Sequence, residues 1–209
     1  MDDKKVFYKQ LREDFYPVLR ALGFKGSGQN FRRIKGDVIH AINIQNNKYG
    51  GSCCVNLGLH LSFLPVAWPK DQIPDLSTIK EIDCVFRTRL APQGKSDYWW
   101  KFKSGLIYPS VEKRVEHLIK TYREEGETKF AQFDTVEKVA NMFSIEQIER
   151  GDYLEGFGGC VPAHGALIMA KVNKHLGRLE LSKSLAGAGL KVLDGAEGLR
   201  DELDGFVGK

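Results

Sequence analysis

The chain has 209 residues, 42% of them hydrophobic and 28% charged. That size and balance support one large domain, or a domain with an extension, and a core buried without help from disulfides or a structural metal; they exclude a disordered chain. The net charge of +4 is mild, and its distribution says more.

The charge is unevenly spread. Through Lys103 there are 17 Lys and Arg against 10 Asp and Glu, and after it 14 against 17, so a basic first half precedes a slightly acidic second half. Met1-Asp2-Asp3-Lys4-Lys5 runs straight into an amphipathic pattern. No apolar leader follows it and no run of about 18 apolar residues occurs, so neither a signal peptide nor a membrane span is expected. Cys53, Cys54, Cys84 and Cys160 lack the spacings of a zinc site and read as free thiols of a cytoplasmic protein.

Lys4 to Leu22 reads as a helix, with Phe7, Leu11, Phe15, Val18 and Leu22 on one face. Pro17 is expected to kink or split it. Gly23 is placed to end it in the left-handed conformation, with Phe24 packing back. Lys25 to Gln29 reads as a loop. Asn30–Lys35 and Val38–Asn46 flank Gly36-Asp37, a two-residue hairpin turn that sets Phe31 opposite Ile42 and Arg33 opposite His40.

Cys53 to Phe63 is the clearest strand: Val55, Leu57, Leu59, Leu61 and Phe63 alternate with Asn56, Gly58, His60 and Ser62. The first set is core, and the second is a small, polar face. Leu64 to Thr78 carries Pro65, Pro69 and Pro74 and reads as irregular. Cys84–Leu90 and Tyr98–Lys103 complete a sheet of about five strands.

Helices dominate the rest. One starts at Ser110, an N-cap residue, and ends near Gly126. Shorter helices cover Phe130–Phe143 and Ile145–Ile148, GFGGCVP (Gly156–Pro162) breaks the chain, and Ala163–Leu176 and Leu179–Val192 form a helix hairpin around Gly177-Arg178. Leu199 to Val207 adds a last turn or two. Closely spaced strands followed by helices predict an α+β fold with an antiparallel sheet: residues 1–127 form the sheet core with flanking helices, and 128–209 a helical extension packed on the same domain.

Phosphate-binding glycine loops, HExxH and GxSxG are absent. None of the five histidines has a carboxylate or cysteine at an informative spacing, and no nucleophile–base pair or cofactor is indicated. The polar residues of the sheet are the candidate site: Arg33, Asn43, Gln45, Asn56, His60, Arg89, Trp99 and Trp100. Amides are poor strand formers, and tryptophan beside arginine makes a stacking surface. A regular strand turns only one tryptophan outward, and we assign Trp100 to that side.

FRRIKGDVIHAINIQ (Phe31–Gln45), VNLGLHL (Val55–Leu61), Arg89, DYWW (Asp97–Trp100) and LGFKGSGQNF (Leu22–Phe31) together resemble the bacterial domain-of-unknown-function family numbered 4304. The resemblance is closest over the first half of the chain. It implies a bacterial cytoplasmic protein and carries no catalytic residue. Small families of this kind often accompany toxin or defence genes, which implies an immunity or antitoxin role. The expected function is therefore a non-catalytic protein-interaction module whose partner is another protein. A nucleic-acid or nucleotide binder using the basic aromatic sheet face is the alternative. An enzyme built on His60, Gln45, Asn56 and Arg89 ranks third.

Overall fold

The computed structural model describes residues 3–66, 72–103 and 109–208. Part of the irregular stretch expected at Leu64–Thr78 lies outside them. The chain forms two compact units, Met1–Gln132 and Phe133–Lys209. The first holds an antiparallel sheet with helices and the second is helical, an α+β protein. No helix among the described residues is long and apolar enough to cross a membrane.

The first helical segment is built as α1 (Asp3–Gln10), a π turn (Leu11–Phe15) and α2 (Tyr16–Ala21). Pro17 explains the interruption. Its ring crowds the carbonyl four residues back, and the wider turn sends the Tyr16 N–H to the Leu11 carbonyl instead. The extra residue delays the buried face. Phe7, Leu11 and Phe15 are fully buried as expected, but the face then continues through Tyr16 and Leu19, leaving Val18 and Leu22 half-buried. Gly23, at φ +87°, ends the helix. Phe24 N–H reaches the Leu19 carbonyl and Gly23 N–H the Arg20 carbonyl, both at 3.0 Å, which is the paired bonding of a Schellman motif.

Among the described residues the sheet has six strands. They are β1 (Lys25–Ser27), β2 (Asn30–Lys35), β3 (Val38–Asn46), β4 (Ser52–Leu61), β5 (Phe86–Arg89) and β6 (Trp100–Lys101). The first five lie in chain order, and β6 pairs with β4 beside β5. The Gly36-Asp37 turn sets the expected register, Phe31 to Ile42 and Arg33 to His40. Three features correct the sequence reading. Lys25–Ser27 is a strand, because Gly26 at φ +147° lets the chain fold back until an added Cβ would meet the Asn30 carbonyl at 2.2 Å. Strand β4 stops at Leu61, where the Leu64 N–H closes a turn on its carbonyl, so Phe63 leaves the row and is half-buried. Cys84 precedes β5, following a 3₁₀ turn at Glu81–Asp83.

One sheet face carries Phe31, Ile42, Leu57 and Leu59, paired strand to strand and buried. The Tyr16 ring packs on Phe31 with centroids 4.7 Å apart. The other face is where the sequence places its small, polar residues, yet all of β4 is buried on both sides. The segment before β5 folds over it. An added Cβ at Gly58 would lie 2.7 Å from Cys84 Sγ and 3.2 Å from Glu81 Cα. Glycine is required there because another stretch of backbone approaches the sheet.

Ser110 caps α3 (Val111–Thr121), its side chain accepting the Lys113 N–H. The helix does not end at Gly126. It passes through a π turn, Tyr122–Gly126, into α4 (Glu127–Gln132). Gly126 serves packing, since a Cβ there would strike the Tyr122 ring at 2.7 Å. In the second unit α5 (Val136–Ala140), α6 (Ile145–Glu149), α7 (Pro162–His175), α8 (Leu179–Lys191) and α9 (Arg200–Val207) follow. Helices α7 and α8 form the expected hairpin around Gly177, at φ +73°. Gly189 lets α8 approach until its absent Cβ would lie 2.7 Å from that of Ala166. Buried Ser182 is satisfied by the Ala170 carbonyl at 2.7 Å. The Gly156–Cys160 break closes on a bridge between Leu154 and Cys160.

Candidate functional site

Antiparallel pairing puts directly opposed residues on one face. In this sheet Asn30 opposes Asn43, Asn43 opposes Asn56, and Asn56 opposes Arg89. These four residues make a polar row across β2, β3, β4 and β5. Hydrogen bonds run along it. Asn43 Nδ2 donates to Asn30 Oδ1 at 2.8 Å. Asn56 Nδ2 donates to Gln45 Oε1 at 2.8 Å and lies 3.5 Å from Asn43 Oδ1. Arg89 Nε donates to Asn56 Oδ1 at 3.3 Å.

The row continues past the sheet. Arg89 Nη1 reaches Asp97 Oδ1 at 3.0 Å, and Trp99 Nε1 donates to the other Asp97 oxygen at 3.1 Å. The Arg89 guanidinium also sits over the Trp99 ring, 5.0 Å from its centroid. Burial acts to raise the Asp97 carboxyl, and the bonds from Arg89 and Trp99 outweigh it, holding it below its ordinary range. Asn56, Arg87, Arg89, Ser96 and Asp97 line a shallow depression of about 300 Å³ together with Glu81 and Thr88. Gln45 is exposed beside the row, and Asn30, Asn43, Arg89 and Trp99 are half-buried.

Of the eight candidate residues, Asn43, Gln45, Asn56, Arg89 and Trp99 come together here. His60 shares the face but is fully buried under the covering segment. Its Nδ1 accepts the Val85 N–H at 3.2 Å and its Nε2 donates to the Leu64 carbonyl at 3.1 Å. Burial lowers its pKa to about 4, so it stays neutral as a structural hydrogen-bonding group. Cys54, also buried, is pushed up to about 11 by its burial, against the opposing pull of Arg89.

Arg33 and Trp100 belong to the opposite face. Arg33 lies two residues from Phe31 and is buried, held by Glu127 at 3.0 Å, His40 Nδ1 at 3.0 Å and the Leu22 carbonyl at 3.1 Å. Trp100 pairs with Cys53 and is 1% exposed, so the assignment of the two tryptophans is reversed. Its indole N–H donates to His117 Nδ1 at 3.1 Å. Sequence reasoning passed over Asn30 and Asp97. Asn30 was accessible by extending the hairpin register one pair beyond Phe31 and Ile42. Asp97 had no such signal, because a loop brings it to Arg89.

All four cysteines are free. Among the described residues no group of three or more His, Cys, Asp or Glu side chains is arranged to hold a metal ion.

No curated protein and no solved structure matches this chain. A family model described as "Domain of unknown function (DUF4304)" matches residues 15–139, more than half of the chain and every residue of the polar row. The chain therefore belongs to the DUF4304 family.

Proposed function

We propose that this protein is a non-catalytic interaction module that docks another protein on the polar row of its sheet, as an immunity or antitoxin protein would. One observation carries the reading: three of the four sheet arginines, Arg33, Arg87 and Arg89, are paired with a carboxylate of their own unit. Arg87 pairs with Glu81 at 2.6 Å and Arg89 with Asp97 at 3.0 Å. Arg33 pairs with Glu127 at 3.0 Å, and Arg32 donates to the Leu76 and Ser77 carbonyls. A polyanion gains affinity from uncompensated cations. This face offers amide groups, an indole and neutralised ion pairs, the mixture typical of protein interfaces. Trp99, held by Asp97 and Arg89, is a rigid aromatic anchor of the kind that dominates binding energy. The ionisable neighbours support a binding role over a catalytic one, since His60 and Cys54 are both held far from a working pKa by burial.

The test is co-expression with the product of the adjacent gene. The wild-type protein is expected to form a stable complex that Trp99→Ala weakens at least about tenfold, the loss of roughly 1.4 kcal/mol. Failure of the wild-type pair to associate overturns the immunity reading. A mixed oligonucleotide titrated at about 50 and about 200 mM salt checks the alternative, because tight binding that falls steeply with salt would replace the protein partner by a nucleic acid.

A further inference from the structure

The end strand of the sheet, β5, leaves part of its backbone unused. In an antiparallel pair, residues that exchange hydrogen bonds across the pair alternate with residues whose N–H and C=O point the other way. The Leu90 N–H donates to the Val55 carbonyl at 2.9 Å. Counting back along the register, Thr88 bonds Leu57 in the same sense, so Arg87 and Arg89, opposite Gly58 and Asn56, turn their peptide groups away from β4. Strand β5 ends the order β1 to β5. Among the described residues, no group bonds the Arg87 or Arg89 peptide groups on that side.

The side chains of the same two residues are only partly used. Arg87 is exposed, and among the described residues its Nε alone is bonded, to Glu81 at 2.6 Å. Both of its terminal nitrogens are therefore open donors. Arg89 uses Nε on Asn56 and Nη1 on Asp97 and keeps Nη2. Both arginines line the depression of about 300 Å³ on the polar face. Glu81, itself buried, and Asp97 hold the two guanidinium groups in place.

Charged side chains on an edge strand commonly keep other chains away. Here they reject one partner in particular. A second copy pairing antiparallel about Thr88 would set arginine against arginine, and like charges directly opposed destabilise a sheet. A segment that carries carboxylates meets no such repulsion, because a carboxylate accepts side by side from guanidinium nitrogens.

We propose that β5 is a docking edge, on which the protein partner of the polar row adds an extended segment whose carboxylate enters the depression and bonds Arg87. The inference rests on the reading above and says how that partner is held. The backbone of the segment bonds the outward peptide groups of Arg87 and Arg89, and every second side chain falls on the polar face.

Amide hydrogen exchange of the full chain, read residue by residue, tests the edge. In the free protein Arg87 and Arg89 exchange at least about tenfold faster than Thr88. The probe is an acetylated, amidated peptide of about seven residues that alternates threonine with glutamate, and its control carries lysine in place of glutamate. The glutamate peptide slows both arginine amides with a dissociation constant below about 1 mM, and the lysine peptide binds at least about tenfold more weakly. Arg87→Pro removes an outward N–H and leaves the bonds to β4, a change that edge strands tolerate, and it weakens the glutamate peptide at least about tenfold. Arg87→Ala keeps the N–H and weakens it less. Slow exchange at Arg87 and Arg89 in the free protein, equal binding of the two peptides, or no change at either amide overturns the edge. If the amides ignore the peptide while the product of the adjacent gene still forms a complex that depends on Trp99, the interaction module stands and its docking edge falls. Peptide binding without any such complex leaves the edge standing and removes the immunity reading.

Discussion

Arg33 and Glu127, 94 residues apart in the chain, meet at 3.0 Å beneath the sheet. Glu127 also accepts the Tyr122 hydroxyl. The π turn makes that second contact, because it sets residues five apart one above the other. The Arg33 guanidinium lies 4.5 Å from the Phe24 centroid and 5.6 Å from that of Phe130, and His40 stacks on Phe130 at 4.3 Å. The helix cap, the sheet and α4 are thus tied through one buried cation.

Removing one member of this pair strands the other. Arg33→Met is expected to destabilise the protein by about 3–5 kcal/mol, the range for breaking a buried pair. Adding Glu127→Leu recovers part of that loss, because no carboxylate then lacks its cation. Urea unfolding of both single variants and the double variant reads the coupling. Additive effects would show that the two residues act independently.

Gly58→Ala probes the cover over the polar face. A methyl group there collides with Cys84 and with the backbone at Glu81, and overpacking of this kind costs about 1–3 kcal/mol. Cys84→Ala in the same background removes the nearest atom and restores part of the stability. Leu59→Ala, on the opposite face of the same strand and fully buried, costs about 2–5 kcal/mol through the cavity it leaves. A near-neutral Gly58→Ala would mean that the covering segment is readily displaced.

His60 gives the fold a pH dependence. Its folded pKa of about 4 lies below the unfolded value of about 6.5, so the native state favours the neutral ring. The stabilisation is fully present above about pH 6.5 and is lost as the pH falls towards 4, on the order of 3 kcal/mol in all. Denaturant midpoints followed between these limits will fall more steeply for the wild type than for His60→Gln. Parallel curves would show that His60 is not the group responsible.

The two adjacent tryptophans will separate. Trp100→Ala removes a buried ring and its bond to His117, and is expected to cost about 3–5 kcal/mol. Trp99→Ala removes a half-buried ring, its bond to Asp97 and its contact with Arg89, and is expected to lower the unfolding free energy by only about 1 kcal/mol. Equal losses from both would place Trp99 in the core and remove the proposed anchor.

Local chemistry determined much of this protein directly. Gly36-Asp37 permits one tight turn, and that turn fixes every pair between β2 and β3. Gly23 and Phe24 end the first helix because only glycine enters the left-handed region without strain. The alternation of Val55, Leu57, Leu59 and Leu61 identifies the core face of β4, and Asn43, Gln45, Asn56 and Arg89 follow on the other side by parity. What the tertiary structure decided depends on groups far along the chain. The polar face of β4 becomes interior because the turn at Glu81–Asp83 crosses it, so His60 is a buried hydrogen-bonding group. Alternation says that Trp99 and Trp100 face opposite ways, but only pairing with Cys53 says which is inside. Arg33 is drawn into the core by Glu127, and no local pattern encodes a partner 94 residues away. Burial of a polar side chain requires a partner for it, and that partner is supplied by the fold and not by the neighbouring sequence.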